Sequence, residues 1–275
     1  MINKNKMLAS FLGIFLIVSC SMDESSDQNA SVSNEVYFNE FMECKAGPDM
    51  SEENLTAMIS EWQKLLTAEE LMGVWGYGPA SEDNSWGDSG WWEIQWTSKE
   101  AADSAWSEWS SNEAALKWAE KYSNVLQCDG PGRFAFDGTF PIPFNTYGEA
   151  NDSGYFYSEF YGCTYNEGSS REDAVAFAPG FNNAVAKSDY ADTRYHYGNY
   201  FAYDNENVDF IWGSFTNSKA SNDKANASFA ADVRDEMFPL FSEFASCTET
   251  ADVYHGWTLY DSSNKDFMPT FSFNN

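Results

Sequence analysis

Four side chains in this sequence could move protons, and they are unevenly placed. Glu40 and Glu159 stand in nearly identical settings, FNEFMEC at 38–44 and YSEFYGC at 157–163, 119 residues apart. The chain's two histidines, His196 and His255, both fall in its later part. Two carboxylates turned into one aromatic-lined cavity would have their pKa values raised by desolvation and could serve as general acid and base. A histidine titrates near neutrality with little perturbation, which suits it to proton transfer or to ligating a haem. The plainer alternative leaves the glutamates hydrated at a cavity mouth, or held by backbone donors, and each histidine structural.

Other catalytic signatures are absent. The sequence has no G-x-S-x-G, no H-E-x-x-H, no Walker loop and no Rossmann glycine fingerprint. The Asp/Asn-rich segments 81–90 and 204–209 carry oxygen ligands without EF-hand spacing and read as hairpin loops. No metal and no tightly held cofactor is expected. The net charge of −28 leaves no material for a basic stripe, so nucleic acid and anionic head groups are excluded as partners. An acidic coat of this kind keeps a protein soluble and monomeric.

The elements that must position these residues begin after a leader. Lys4 and Lys6 precede an apolar stretch, Met7 to Val18, too short to span a bilayer comfortably. It ends Ile17-Val18-Ser19-Cys20, which resembles the lipobox of bacterial lipoproteins. The resemblance implies cleavage after residue 19, lipidation of Cys20 and, with Ser21 following, sorting to the outer membrane facing the periplasm. Residues 20–34 read as a disordered tether.

Beyond the tether the chain is written twice. A shift of 119 brings Glu40, Phe41 and Cys44 onto Glu159, Phe160 and Cys163, and Cys128 onto Cys247. It also brings the helix-start signals at 51–54 onto those at 170–173. The stretch around Trp75 needs one extra residue to meet its copy near Tyr195. The two copies span 35–140 and 154–262, with a linker at 141–153 and a C-terminal tail at 263–275. The first copy reads as a strand at 36–44, a helix at 51–66, strands at 72–80 and 91–97, helix from 98 to 126 and a strand at 133–140. The group Ser110-Ser111-Asn112-Glu113 breaks the second helix in two.

That order, β-α-β-β-α-β, is the ferredoxin-like unit, in which first and last strands are neighbours. Cys44 closes the first strand and Cys128 precedes the last, so an exported chain should form Cys44–Cys128 and Cys163–Cys247. The fold class is therefore α+β. Two such sheets can bury their bare faces against each other, so a monomer suffices. This resembles the dimeric α+β barrel superfamily, which includes antibiotic-biosynthesis-monooxygenase-like domains. The stretch WEIQWTSKEAADSAWSEWSSNEAALKWAEKY (92–122) resembles the same region of those families. A histidine they often carry after the helix break is replaced by Ala114 and Ala115, so no family catalytic residue transfers.

Strand alternation assigns faces. Trp92, Ile94 and Trp96, matched by Ile211, Gly213 and Phe215, should face the helices. Trp91, Glu93 and Gln95, with Phe210, Trp212 and Ser214, should face the barrel interior, and Glu40 and Glu159 point inward if Phe41 and Phe160 lie under the helices. The expected function is binding of an apolar or aromatic small molecule. Trp91, Glu93 and Trp212 would line the site, and Glu40, Glu159, His196 and His255 would be available for cofactor-independent oxidation or isomerisation. The alternative is a non-enzymatic envelope module with a solid barrel. Trp106 and Trp118 fit either reading, as core filler or as pocket wall.

Overall fold

The computed structural model describes residue 33, residues 35–203 and residues 207–273. Cys20, the leader and almost all of the tether lie outside the described residues. No helix among the described residues is long and apolar enough to cross a membrane.

The first half runs β1 (Val36–Ala46), α1 (Glu52–Gln63), β2 (Leu71–Pro79), β3 (Gly90–Trp96), α2 (Lys99–Ser111), α3 (Glu113–Lys121), β4 (Leu126–Cys128) and β5 (Phe134–Thr139). The second runs β6 (Tyr155–Tyr165), α4 (Arg171–Ala186), β7 (His196–Ala202), β8 (Phe210–Thr216), α5 (Lys219–Ser228), a π-helical turn Phe229–Val233, α6 (Arg234–Phe244), β9 (Ala245–Cys247) and β10 (Asp252–Asp261). Helix starts follow local side-chain chemistry. Ser51, Ser98 and Ser218 each accept a backbone N–H from the first turn of the helix they precede. Asn112 ends α2 and caps α3, its Oδ1 accepting from the N–H of Ala114 and of Ala115. The predicted break is therefore real, and Asn112 rather than a serine makes the cap.

Eight strands close into one antiparallel barrel in the order β10-β2-β3-β1-β5-β7-β8-β6, with β6 returning to β10. The halves share ladders at two seams, β5–β7 and β10–β2. They are thus hydrogen-bonded edge to edge, where sequence reasoning expected only sheet faces in contact. Closure pairs each of the eight barrel strands on both sides, leaving only the short β4 and β9 with one neighbour among the described residues. The short β4 and β9 pair with β1 and β6, setting Cys44 opposite Cys128 and Cys163 opposite Cys247, and both pairs are disulfide-bonded.

Side-chain parity holds in the first half and reverses in the second. Trp92, Ile94 and Trp96 pack outward beneath the helices with Met58, Ile59 and Trp62. On β8, Phe210 and Trp212 take that outward role, while Ile211 and Phe215 join the barrel interior. The register explains the reversal. Glu40 lies opposite Ile94 and Glu159 opposite Ser214, so β8 follows β3 at a spacing of 120 (214 − 94). The extra residue inserted near Tyr195 is carried through β8, and a one-residue slip moves every side chain to the other face. Phe41 and Phe160 face inward, so Glu40 and Glu159 face the helices. The C-terminal segment crosses back to the first half. Gln63 Nε2 donates to the carbonyls of Leu259 and Phe267, and Phe271 is buried against Trp257.

Candidate functional site

A cavity of about 540 Å³ lies in the first half, between the outer face of the sheet and the helices. Trp92 and Trp96 form its floor from β3, Trp62 comes from α1, Trp106 and Trp109 from α2, and Trp118 from α3. The indoles are held in place by polar contacts. Glu40 accepts from Trp106 Nε1 at 2.6 Å and from Trp96 Nε1 at 3.0 Å. Arg133 Nε donates to the same carboxylate at 2.5 Å, and its guanidinium lies 4.6 Å from the centroid of the Trp106 ring. Glu40 is thus a buried, fully engaged anchor for two walls of the cavity. Trp118 Nε1 donates to the Met58 carbonyl at 2.9 Å. The Trp92 N–H is buried without a hydrogen-bond partner.

The corresponding space in the second half is filled. Trp212 lies parallel to Tyr197 with centroids 4.4 Å apart, and Phe181 meets Trp212 edge-on at 5.2 Å. Phe177 closes against Phe241 and Phe244. Glu159 has no indole partner; it accepts from Asn222 Nδ2 at 2.7 Å and from Asn226 Nδ2 at 3.1 Å, both on α5. Glu40 and Glu159 therefore sit on separate outer faces, and the structure does not bring them together as an acid/base pair. Trp212 is core filler on an outer face rather than an interior wall.

Inside the barrel the central polar group is Glu93, as its strand parity predicts. It is 1% exposed and accepts from Asn39 Nδ2 at 2.6 Å and from the hydroxyls of Tyr77 and Tyr200, the former at 2.5 Å. Burial raises its pKa to about 7 against the opposing pull of these three donors. Both tyrosines are pushed well above their usual range by burial. Glu93 lines a second cavity, about 400 Å³, at one end of the barrel, and His196 lines it too. His196 stacks on Phe215 at 5.0 Å, and its Nδ1 lies 3.1 Å from the Arg194 carbonyl. Burial, then the Arg194 charge, lowers its pKa to about 3, so it is neutral at any ordinary pH.

His255 faces outward on β10, with Nδ1 2.9 Å from the Tyr155 hydroxyl, and burial lowers its pKa. It shares no cavity with His196. Trp91 is at the opposite end of the barrel from that cavity. Its N–H donates to the Tyr254 hydroxyl at 3.0 Å, beside Trp86 and Phe134, around a void of about 100 Å³. Of the expected set, then, Glu93 and His196 share the barrel-end cavity, and Trp91 and His255 share a separate one of about 290 Å³. Sequence reasoning missed Tyr77, Tyr200, Trp62 and Arg133. The parity that puts Glu93 inside also exposes the tyrosines' strands to it, which was the available signal. Among the described residues no cluster of histidine, cysteine or carboxylate side chains could hold a metal ion. Neither histidine lines the tryptophan cavity, so a haem there would lack an imidazole ligand from the described residues.

No family model matches the sequence, and no curated protein matches it. Solved structures of similar shape include a chlorite dismutase from Candidatus Nitrospira defluvii, with 12% identity over 82% of this chain and 93% of that one, TM-score 0.48. A monooxygenase, so described with reservation, from Lactobacillus acidophilus NCFM shows 12% identity over 82% of this chain and 94% of its own, TM-score 0.46.

Proposed function

We propose that this protein is a lipid-anchored envelope protein that binds an apolar, aromatic small molecule in the tryptophan-walled cavity of its first half. One observation carries the reading. Two halves of like element order differ at the same place, one open by about 540 Å³ and the other packed with aromatic rings. Protein interiors close voids of this size unless something fills them, and the volume falls within the range of small-molecule sites. The walls ask for a flat, uncharged body.

The envelope location and lipidation at Cys20 rest on the leader, and the description as two ferredoxin-like repeats rests on element order and the equal cysteine spacing. The titratable groups that line the cavity are Glu108 and Tyr122, whereas Glu40 is occupied by three donors behind the wall. Binding without turnover is therefore the better reading than oxidation or isomerisation. The interaction-module alternative draws on the aromatic filling of the barrel itself, where Phe41 packs edge-on against Phe136, Phe160 and Tyr200. Aromatic packing at the barrel centre is compatible with a ligand held outside it.

The test is a titration with the neutral fluorophore N-phenyl-1-naphthylamine. Saturable enhancement in the wild-type chain, lost in Ala105→Trp, which fills the cavity, is the expected result. Enhancement that survives the filled cavity, or none at all, overturns the assignment.

A further inference from the structure

Arg194, just before β7, lines the barrel-end cavity together with Glu93 and His196. The other described arginines, Arg133, Arg171 and Arg234, each have a carboxylate oxygen within 4.0 Å. Arg194 does not; its side-chain contact is Nε to Asn145 Oδ1 at 3.3 Å. Glu149 and Asp261 act on Arg194 through space without an ion-pair contact, and in a chain with 43 acidic and 15 basic residues a part-buried guanidinium left without such a contact is an exception. Such a group is stabilised best by a planar, bidentate anion. A second donor stands in the same lining. Gln95 is 4% exposed, and its Nε2 is buried with no hydrogen-bond partner. The remaining wall is aromatic, with Phe140, Phe156 and Phe215 prominent.

We propose that the barrel-end cavity is a second ligand site, for a small planar organic acid of the aromatic carboxylate class. Its carboxylate is held by Arg194 with Gln95 as the additional donor, and its ring lies among the phenylalanines. The site is separate from the tryptophan cavity and does not depend on what that cavity binds. Glu93 makes the site sensitive to protons. It is faced by Asn39 from β1, Tyr77 from β2 and Tyr200 from β7, with Tyr37, Arg194, His196, Tyr260 and Asp261 in the same lining. An ionised Glu93 repels an incoming carboxylate and a protonated one does not, while His196 stays neutral throughout.

The probe is benzoate, ionised at every pH used, with benzamide as its neutral counterpart, titrated calorimetrically into the full chain. Benzoate should bind, benzamide should bind at least tenfold more weakly, and benzoate should bind several-fold tighter at pH 6 than at pH 8.5. Arg194→Gln should weaken benzoate at least tenfold, Arg194→Lys less, and Glu93→Gln should remove the pH dependence. N-phenyl-1-naphthylamine should bind unchanged in the presence of saturating benzoate. Circular dichroism melting identifies a variant that has failed to fold, in which case the benzoate–benzamide ratio on the wild-type chain decides. Equal binding of the two probes, no benzoate binding, or benzoate affinity indifferent to a folded Arg194→Gln overturns the proposal.

Discussion

Trp212 lies flat on Tyr197, 4.4 Å between centroids and 4° from parallel, where the first half has an open cavity. Removing the indole should leave a void that the surrounding rings cannot fully close. Trp212→Ala is expected to destabilise the protein by about 3–5 kcal/mol. A loss below 1 kcal/mol in urea unfolding would mean that the second half repacks freely and that its filling is incidental.

Glu40 serves Trp96, Trp106 and Arg133 at once. Replacing it with Leu strands the Arg133 charge and two indole donors. The expected cost is about 3 kcal/mol, at the lower end for a broken buried pair because Arg133 keeps some solvent contact. The same change should weaken N-phenyl-1-naphthylamine binding, since the walls lose their anchor. Unchanged probe affinity in a folded Glu40→Leu protein would detach Glu40 from the site.

Glu93 and His196 give opposing pH dependences. The Glu93 pKa is raised from 4.5 to about 7, so the folded state holds the proton more tightly. Its contribution is full below pH 4.5 and is lost as pH rises to about 7, a span worth about 3 kcal/mol. The His196 pKa is lowered from 6.5 to about 3, so its contribution is full above 6.5 and is lost as pH falls toward 3. The two slopes cancel between about pH 4.5 and 6.5. Relative to wild type, Glu93→Gln should make stability rise with pH across that window, and His196→Phe should make it fall. Parallel stability–pH curves for all three proteins would refute the assignment.

Each disulfide closes a loop of 84 residues. Removing either as a double Cys→Ala variant should cost about 2–4.5 kcal/mol by chain entropy. Because the two bonds fasten different halves of one barrel, loss of either should lower a single cooperative transition rather than split it. Two separated unfolding steps in calorimetry would show that the halves unfold independently.

Lipid attachment is tested at Cys20. Cys20→Ala should leave the leader uncleaved and abolish labelling by a radioactive fatty acid. Cleavage and membrane association that persist in this variant would remove the lipobox reading.

The two cysteine pairs and several helix starts were legible because such marks are local in sequence. The faces of β3 were legible because Trp91, Glu93 and Gln95 alternate cleanly with Trp92, Ile94 and Trp96. The orientation of Glu40 was not. Its neighbours in sequence, Asn39 and Phe41, suit either face, and the groups that satisfy it come from residues 56 to 93 positions away. The face of Trp212 was misread for a different reason. A single inserted residue was credited to the β7 region alone, whereas the ladder carries it through β8. The tryptophan cavity was left open as one of two readings of Trp106 and Trp118, because an indole lining a void and an indole filling one have the same sequence pattern.

The β10–β2 seam joins segments at opposite ends of the folded chain, Tyr254 facing Pro79 and Asp261 facing Gly73. A chain emerging from its amino end completes β2 long before its partner exists, and that strand must wait with an unpaired margin. Pairing across such a separation slows folding, since loop closure must precede the contacts that reward it. Closure of the barrel therefore waits on the chain's last strand. That strand is the latch, so a truncation before residue 252 should cost more than ten residues' worth of contacts. The first half would be left with an open margin and without the buried Phe271 from the returning tail.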